Sequence, residues 1–446
     1  MLRFLPRKSM NIVNRCIRDA VSQAYRNVAF YRDTYDRAGI RPADIRGIDD
    51  LPSLLTVSRI DLMAGGPSSY LAHGSRPETL SVKQTTGTTG TPVTVYMSFC
   101  EQAFRKIVFL DAYSRHAGVK FPLSVVDVGP ERKSLDDAIL VRVGPHIRVR
   151  LFRDIPMNEQ IHLICKTKAA MIVGRPSILW EVALAMKDRG IRPPRPRIII
   201  SNVEMLFGHV RALLTEVFGC PVADYYSCEE VGNLAWQCPV HPDRMHPNLA
   251  NAWIEIVDRS GRPVGYGQSG RIVITNLYNR TMPFIRYCTG DRGIDLGEGV
   301  CDCGFHGPVM RLTEGRDVNF IVLPDGSEIN PRNLYDAVNF AFPHDRPDWN
   351  LIDSIRAFQI IQETLDRIVV KVVPGPQYSE VFWPKVRKHL AALHPDLKLN
   401  IELVSDLTPP PGRKFHQVLG KLDNRWIRER GESADQFERR TRSESI

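Results

Sequence analysis

The sequence predicts an α/β fold: a large N-terminal domain of mainly parallel α/β layers plus an antiparallel β layer, and a small mobile α+β C-terminal domain. Three observations predict it. Between residues 124 and 227, short β-branched runs alternate with amphipathic segments, as in a parallel sheet covered by helices. From residue 252, β segments are joined by Gly-rich turns. Beyond residue 312 a third pattern indicates a separate C-terminal domain.

The first elements follow from periodicity. Residues 10–38 have apolar residues at three-to-four spacing, which predicts a helical segment. The alternating region then predicts strands SVVDVG (124–129), AAMIVG (169–174), RIIIS (197–201) and PVADYYS (221–227), with helices SILWEVALAMKDRG (177–190) and VRALLTEVFG (210–219). In such folds, ligands bind at the carboxyl ends of the strands.

The later elements are mostly strands. AWIEIVD (252–258), GRIVITNL (270–277) and MPFIRY (282–287) predict the antiparallel layer. FIVLPDGSEI (320–329) predicts a hairpin with an Asp-Gly turn. Strands IRAFQIIQE (355–363) and RIVVKVVP (367–374) accompany a helix near 378–393. We therefore predict an N-terminal domain over 1–311, a C-terminal domain over 312–425 and a charged tail over 426–446.

The threonine- and glycine-rich stretch QTTGTTGTPV (84–93) has the composition of neither a buried strand nor a helix. A P-loop of the Walker type is excluded because Gly90 is followed by Thr91 and Pro92. A plain surface loop is one interpretation. The other is a loop whose backbone N–H groups and hydroxyls bind a nucleotide phosphate chain.

Three further segments favour the nucleotide interpretation. YYSCEEVG (225–232) ends a predicted strand and places two adjacent carboxylates beside aromatic residues, so one of them must face a cleft or a cation. YCTGDRG (287–293) presents Asp291 after a glycine, where its carboxylate can accept two ribose hydroxyls. GRDVNFIVLPDGSEINP (315–331) opens the C-terminal domain with Arg316 within reach of a nucleotide.

In this order, the segments resemble the adenylate-forming (acyl-CoA synthetase-like) superfamily, and most of all its phenylacetate–CoA ligase and capsular-polysaccharide adenylating branch. The resemblance covers nearly the whole chain. It includes FYRDTYDRAGIRPADIRGIDDLPSLLTVSRIDL (30–62), SNVEML (201–206), GRIVITNLYNRTMPFIRYCTGD (270–291) and PPGRKFHQV (410–418).

The resemblance implies a set of nucleotide-binding residues. The ATP phosphates would be wrapped by Thr85, Thr86, Gly87, Thr88, Thr89 and Gly90. The base pocket would be lined by Asn202, Val203 and Glu204, with Tyr226 stacked on adenine. Asp291 would hold the ribose hydroxyls, and Arg316 would contact ribose or phosphate.

The resemblance also implies three catalytic residues. Glu230 would hold Mg²⁺, Thr88 would act from the phosphate loop, and Lys414 would approach the bridging oxygens during adenylation. The attack of a carboxylate on the α-phosphorus develops negative charge, which a cation, a lysine and loop amides must offset. A lysine on a mobile domain can act in one half-reaction and withdraw for the second.

Several positions depart from the branch pattern. Val318 and Asn319 stand where a hinge residue and a second acid are common, and Glu229 stands where a Thr or Ser usually precedes the magnesium acid. The lysine motif reads Gly-Arg-Lys-Phe, so Arg413 competes with Lys414 for the role. The substitution at the hinge leaves adenylation compatible with the sequence and concerns the second, thioester-forming half-reaction.

A candidate zinc site is formed by CDCG (301–304) and CPVHPDRMH (238–246). Four soft ligands in tetrahedral array suit structural Zn²⁺, although the spacing is looser than in a zinc finger, and free surface thiols are the alternative. Members of the branch often carry such a Cys/His set, which favours the quartet Cys238, His246, Cys301 and Cys303. His241 and His306 are reserve ligands.

Composition narrows the class of protein. Hydrophobic content of 43% and charged content of 24% are those of a globular protein. The net charge of +9 favours anionic small molecules, but no basic run interleaved with aromatics indicates nucleic acid. We expect no membrane span and no signal peptide. The nine cysteines form no disulfide framework, which favours the cytoplasm.

We therefore expect ATP-dependent activation of an aromatic or arylalkyl carboxylic acid through an acyl-adenylate, followed by acyl transfer to CoA. The expected cofactors are ATP, Mg²⁺ and structural Zn²⁺, with CoA as co-substrate; a homodimer is compatible with this. One alternative is an amide ligase that transfers the acyl group to an amine. Another is a non-catalytic, zinc-stabilised nucleotide-binding scaffold.

Overall fold

The structure of the chain is a computed structural model. It describes residues 7–63, 66–84, 93–117, 124–129, 139–143, 146–258, 260–316, 321–323, 328–329, 331–339, 354–395, 397–407 and 417–420. The chain divides into two compact units, Met1–Thr289 with Gly293–Leu312 and Gly290–Arg292 with Thr313–Ile446. Their roles as adenylation domain and mobile lid, and the charged tail, stay predictions.

The described helices are α1 (Arg7–Asn27), α2 (Ala29–Arg37), α3 (Arg59–Met63), α4 (Pro67–Tyr70), α5 (Phe99–Ala117), α6 (Met157–Thr167), α7 (Pro176–Asp188), α8 (Gly208–Phe218), α9 (Pro331–Asn339) and α10 (Trp383–Leu393). The helical pattern predicted over 10–38 is two helices, because Val28 is extended (φ −121°, ψ 116°) and forms the N-cap of α2.

The described strands are β1 (Ser81–Gln84), β2 (Thr94–Met97), β3 (Ser124–Val128), β4 (Leu140–Val143), β5 (His146–Leu151), β6 (Met171–Gly174), β7 (Ile198–Asn202), β8 (Val222–Cys228), β9 (Gly232–Gln237), β10 (Met245–Pro247), β11 (Ala252–Val257), β12 (Ser269–Asn276), β13 (Tyr287–Val300), β14 (His306–Arg316), β15 (Ile321–Val322), β16 (Glu328–Ile329), β17 (Ile355–Thr364), β18 (Arg367–Pro374), β19 (Lys398–Leu403) and β20 (Val418–Gly420).

The large unit is organised by a sheet of twelve strands in the order β11-β12-β13-β14-β10-β9-β8-β7-β6-β3-β5-β4. Strands β5, β3, β6, β7 and β8 run parallel to their neighbours in this order. From β8 to β9 the pairing becomes antiparallel. Strands β6 and β7 are almost entirely buried, as expected where helices cover both faces of a parallel sheet. The predicted fold class is confirmed.

The N-terminal helices pack on the antiparallel side of this sheet through buried apolar residues of one continuous core cluster. Their polar contacts converge on the segment before β13. The Tyr31 hydroxyl donates to the Pro283 carbonyl at 3.0 Å and accepts from the Ile285 N–H at 3.0 Å. The Val57 N–H donates to the Arg286 carbonyl at 2.9 Å. The N-terminus therefore depends on a segment about 250 residues later.

The strand predicted over 282–287 is wrong. This segment is irregular, and β13 begins only at Tyr287. Pro283 has no N–H to donate, and Arg286 adopts a left-handed backbone conformation (φ 47°), which interrupts the extended path. The alternating apolar residues Met282 and Phe284 are nevertheless buried. The sequence pattern therefore predicted the burial of these side chains correctly but the backbone conformation incorrectly.

The second unit contains a four-stranded sheet in the order β19-β18-β17-β20 and the antiparallel pair β15–β16. Strands β17 and β18 form an antiparallel hairpin, and β19 and β20 add to it in parallel. Helix α10 presents buried Trp383, Val386 and Leu390, spaced by three and four residues. The predicted strands and helix of this region are present.

Candidate active site and metal cluster

The carboxyl ends of β7 and β8 lie side by side, with Asn202 opposite Tyr225 in a parallel register. A three-residue turn follows β8 and leads into β9. It contains Glu230, which is 8% exposed. Its Oε1 accepts a hydrogen bond from the Tyr287 hydroxyl at 2.9 Å. Among the described residues Tyr287 is its hydrogen-bond partner, so Oε2 is the oxygen that a cation would bind.

The Tyr287 hydroxyl stays protonated and can donate a hydrogen bond to this carboxylate at all physiological pH values. Burial, followed by the neighbouring charge of Glu230, raises the pKa of Tyr287 well above its ordinary value. The phenol therefore stays protonated throughout the physiological range and keeps donating to Oε1. The arrangement holds a nearly buried carboxylate in one orientation.

Glu229, the residue before it, is in a different environment. Its side chain is 45% exposed, and Oε2 lies 3.6 Å from Lys83 Nζ and 3.5 Å from Arg105 Nη2. The two adjacent acids are thus distinguished by their partners. Glu229 pairs with two cations, whereas Glu230 is fixed by a neutral hydroxyl.

Tyr226, predicted to stack on adenine, is 9% exposed. Its hydroxyl donates to Thr289 Oγ1 at 3.2 Å, and that hydroxyl donates in turn to the Ile272 carbonyl at 3.2 Å. The sequence prediction did not name Thr289. The signal that could have found it is its place two residues before Asp291 in the same strand.

The segment predicted to line the base pocket forms a tight turn. The Glu204 N–H donates to the Asn202 carbonyl at 2.9 Å, and Val203 between them has φ 73°. This is a γ-turn in its strained form, which a β-branched residue rarely adopts. The Glu204 carboxylate accepts from the Ser177 N–H at 3.2 Å, at the first turn of α7. It therefore also anchors that helix.

Other predicted site residues cannot be placed in the same way. Residues 85–90, with Thr88, and both Arg413 and Lys414 lie outside the described residues, as do Val318 and Asn319. Arg316 is the last residue of β14, and its side chain is not described. Asp291 is a half-buried residue of β13, within the three residues grouped with the second unit.

A buried ion pair that the sequence prediction missed supports the start of β13. Arg286 Nη2 and Glu255 Oε1 are 3.0 Å apart, and Arg286 Nε donates to Glu255 Oε2 at 3.2 Å. The guanidinium also donates to the carbonyls of Leu54 and Gly261. Because its donors are shared among three segments, the side chain can be almost fully buried. It fixes the position from which Tyr287 and Thr289 extend.

The predicted zinc quartet is brought together. Ligand atoms of Cys238, His246, Cys301 and Cys303 all lie within 4.8 Å of one another. Cys238 Sγ is 3.6 Å from Cys301 Sγ, and His246 Nε2 is 3.1 Å from Cys303 Sγ. Three thiols and one imidazole are a donor set typical of a structural zinc site. Three of the four residues are buried, which leaves little access for a substrate.

The reserve ligands do not belong to this cluster. His241 Nε2 lies 2.7 Å from Asp302 Oδ2, and its backbone N–H donates to Cys238 Sγ at 3.3 Å. His306 begins β14. Burial, with hydrogen bonds from the neighbouring thiols, raises the pKa of Cys303 to about 12. A divalent cation that replaced the thiol protons would remove this cost.

A partly buried polar network adjoins the cluster. The Ser201 hydroxyl donates to Asp224 Oδ1 at 3.0 Å. Gln237 Oε1 accepts from the Asp224 N–H and from Arg211 Nη2, both at 3.0 Å. Burial raises the pKa of Asp224 to about 6, against the opposing effect of Arg211. Since Gln237 directly precedes Cys238, the network ties the parallel strands to the cluster.

The chain is similar to two kinds of curated protein. It is 26% identical over 396 residues to a phenylacetate–coenzyme A ligase of Thermus thermophilus, covering 85% of each chain. It is 22% identical over 307 residues to protein CapK of Staphylococcus aureus, covering 65% of this chain and 62% of that one. Both lie in the branch that the ordered motifs resemble. These relatives confirm the resemblance to the phenylacetate–CoA ligase and CapK branch of the adenylate-forming superfamily.

The fold of the chain agrees with solved structures. A 2-hydroxyisobutyryl-CoA ligase in complex with an acyl-AMP has a TM-score of 0.74 at 17% identity, covering 96% of this chain and 93% of that one. At this identity the likeness concerns the fold. No protein-family model matches the chain. Among the described helices, none is long and apolar enough to cross a membrane.

Proposed function

We propose that this chain is an AMP-forming acid–thiol ligase. It activates a carboxylic acid with ATP, releases pyrophosphate, and passes the acyl group from the acyl-adenylate to CoA. The observation that carries the proposal is the orientation of Glu230. It is a nearly buried carboxylate at the carboxyl edge of a parallel sheet, with one oxygen fixed by Tyr287 at 2.9 Å. Its relatives named as coenzyme A ligases support the same reaction.

Each residue has a distinct role in this reaction. Glu230 holds Mg²⁺, which when bound offsets the charge that develops on the phosphates. Tyr226, whose hydroxyl is held by Thr289 at 3.2 Å, is the residue on which adenine stacks in this proposal. Asp291 accepts the ribose hydroxyls, and the base is bounded by the γ-turn at Val203.

The remaining steps belong to residues that we assign from the family resemblance. Residues 85–90 bind the phosphate chain through N–H groups and hydroxyls, and Arg316 contacts ribose or phosphate. Lys414 approaches the bridging oxygen between the α- and β-phosphorus as pyrophosphate leaves. The second unit would then turn to admit the CoA thiol, which attacks the acyl carbonyl and releases AMP.

The Cys/His cluster has a structural role in this proposal. Its four ligands would enclose Zn²⁺ and leave no coordination position for water or substrate, unlike a catalytic zinc site. The cluster joins the turn between β13 and β14 to the segment after β9. We assign zinc rather than a hard cation because thiolates and imidazole prefer soft or borderline ions.

We further propose that the substrate is an aromatic or arylalkyl acid and that the reaction takes place in the cytoplasm. The names of the curated relatives support the first point, and the described cysteines, which form no disulfide, support the second. A non-catalytic scaffold is disfavoured because Glu230 and Tyr226 are held by hydroxyl donors and acceptors at one edge of the sheet.

The test is ATP–pyrophosphate exchange with a panel of aryl, arylalkyl, aliphatic and amino acids, followed by mass spectrometry of AMP and acylated product with CoA or amines. Exchange should depend on one class of acid, and the product should be a thioester. An amide product would replace the proposed acceptor, and no exchange across the panel would refute the enzyme.

The assignment of the lysine is tested separately. Lys414→Ala should reduce exchange by about 100-fold or more, whereas Arg413→Ala should reduce it by less than about tenfold. The opposite order would transfer the role to Arg413. Unfolding temperatures of both variants serve as the control for folding.

A further inference from the structure

The turn that carries Glu230 is held by a buried arginine of α5. Arg105 is 7% exposed. Its Nη1 donates to the Glu229 carbonyl at 2.7 Å, and its Nη2 donates to the Cys228 carbonyl at 3.3 Å. One guanidinium thus binds both main-chain carbonyls that precede Glu230. These two bonds fix the path of the chain into the turn.

The side chain of Arg105 also packs against Gly232, the residue that follows the turn. Gly232 has φ 93°, and a Cβ at this position would lie 2.8 Å from Arg105 Nε. The backbone therefore approaches the arginine as closely as a glycine permits. Arg105 contacts the residues before and after Glu230 and Val231, so the turn cannot shift without breaking this packing.

The counterion of Arg105 is the unusual acid at position 229. Glu229 Oε2 is 3.5 Å from Arg105 Nη2 and 3.6 Å from Lys83 Nζ. A guanidinium with 8% of its side chain exposed needs a partner for its charge. A neutral side chain at this position would not supply a charge. Glu229 therefore neutralises the buried arginine that holds the turn, and the two residues act as a pair.

Helix α5 is itself fixed one turn earlier. Glu101 Oε1 accepts from the backbone N–H of Arg280 at 2.6 Å and of Thr281 at 2.9 Å. Glu101 Oε2 accepts from the Ser98 N–H at 2.7 Å, a capping contact at the start of the helix. Arg105 therefore acts from a rigid support, which a positioning role requires.

We propose that Arg105, with Glu229 as its counterion, is a positioning residue that sets the place of the Glu230 carboxylate for binding a divalent cation with nucleotide. The inference rests on the proposed function. Tyr287 orients the carboxylate from one side, and Arg105 fixes the main chain from the other. Loss of the arginine leaves the Glu230 carboxylate unchanged but no longer fixes the position of its main chain.

Mn²⁺ binding with ATP, measured by electron paramagnetic resonance of free Mn²⁺, tests this without turnover. Arg105→Lys keeps the charge but cannot bridge two carbonyls and a carboxylate, and should weaken Mn²⁺ binding by about tenfold. Glu229→Gln should weaken it by about threefold and should lower the unfolding temperature, because it leaves the nearly buried guanidinium of Arg105 without its carboxylate partner. The double variant should equal Arg105→Lys alone, because Glu229 acts through Arg105.

Three outcomes separate the possibilities. Additive effects in the double variant would mean that Glu229 contacts the cation itself, which overturns the positioning role. Wild-type affinity in Glu229→Gln and in a folded Arg105→Lys also overturns it, while the proposed function stands. If the wild type binds no Mn²⁺–ATP, both proposals fall. Lys187→Met, which removes a 2.9 Å ion pair with Glu216 between α7 and α8, is the matched control and should change nothing.

Discussion

The two ends of the β8–β9 hairpin are built from different chemistry. At the closed end, the turn between the strands holds Glu229 and Glu230 among hydroxyl and cationic partners. At the open end, the chain leaves Gln237 and enters the cluster at Cys238. Strand β9 separates the two ends by roughly 20 Å, at about 3.4 Å per residue.

The difference lies in how many donors are already engaged. At the open end, four ligand atoms converge within 4.8 Å and can enclose a metal completely. At the closed end, one oxygen of a single carboxylate accepts a hydrogen bond from Tyr287, in the turn at the carboxyl end of β8. A closed set of ligands stabilises, and an incomplete one can act on a substrate.

The largest expected effect is the loss of exchange activity at the closed end. Glu230→Gln should reduce ATP–pyrophosphate exchange by about 100-fold or more, because a neutral amide binds Mg²⁺ poorly. The unfolding temperature should change little. Tyr287→Phe, which removes the donor but keeps the carboxylate, should cost about tenfold. Equal activity of Glu230→Gln and wild type would show that the turn carrying Glu230 has no role in catalysis.

The open end should respond in the opposite way. A Cys301→Ser/Cys303→Ser variant should lose about one zinc per chain and several kcal/mol of stability, because the metal stabilises only the folded site. At a temperature where the variant is folded, exchange per molecule should be near that of the wild type. Metal content by mass spectrometry and thermal unfolding measure this, with exposed Cys100→Ser as the control. Protein prepared without metal loss that contains no zinc would contradict the cluster assignment.

Much of this contrast could be predicted from the sequence, for physical reasons. Parallel strands buried on both faces appear as short apolar runs, so RIIIS (197–201) was placed correctly as β7. The Cys/His quartet was found because two turns bring together residues with distinctive chemistry. Two adjacent acids predict that one of them faces a cleft or a cation; the resemblance assigns that role to Glu230, and the assignment stays a prediction.

The rest depends on contacts that no local pattern reveals. Arg105 holds the turn across 124 residues of chain, and an arginine in a helix has no sequence feature that names its partner. The strand predicted over 282–287 was wrong because the buried pair of Arg286 and Glu255 stabilises a left-handed residue against local preference. Roles assigned to residues 85–90 and Lys414 stay predictions.

A smaller effect is expected at Asp224, a partly buried acid whose backbone N–H donates to Gln237, the residue before Cys238. The pKa of Asp224 is about 6 in the folded protein, above the ordinary value of 3.8, so the folded state binds its proton more tightly. This group's contribution to the free energy of unfolding should therefore fall as pH rises from about 4 to 6 and remain lower above. Asp224→Asn cannot titrate, and should gain roughly 1–3 kcal/mol relative to wild type across that window. Urea unfolding at pH 4.5, 5.5 and 7 measures the difference, and a constant difference would contradict it.

The smallest effect concerns strain beside the closed end. Val203 has φ 73°, a conformation that costs a β-branched residue about 1–3 kcal/mol. Val203→Gly should therefore raise the free energy of unfolding by about 1 kcal/mol, part of the relief being lost to the greater entropy of glycine in the unfolded chain. Denaturant midpoints measure it. The control is Val240→Gly, an exposed residue with ordinary φ, which should be neutral or destabilising.

The contacts of the first helices have a consequence for synthesis of the chain. Tyr31 and Val57 pair with Pro283, Ile285 and Arg286, and the first of these links spans 252 residues. At about 5–20 residues per second, a ribosome needs roughly 10–50 seconds to make the missing partner. During that interval the apolar faces of the opening helices lack their native contacts, so the beginning of the protein is among the last parts to fold. Helices α1 and α2 can therefore complete their packing only after residues 283–286 have been synthesised.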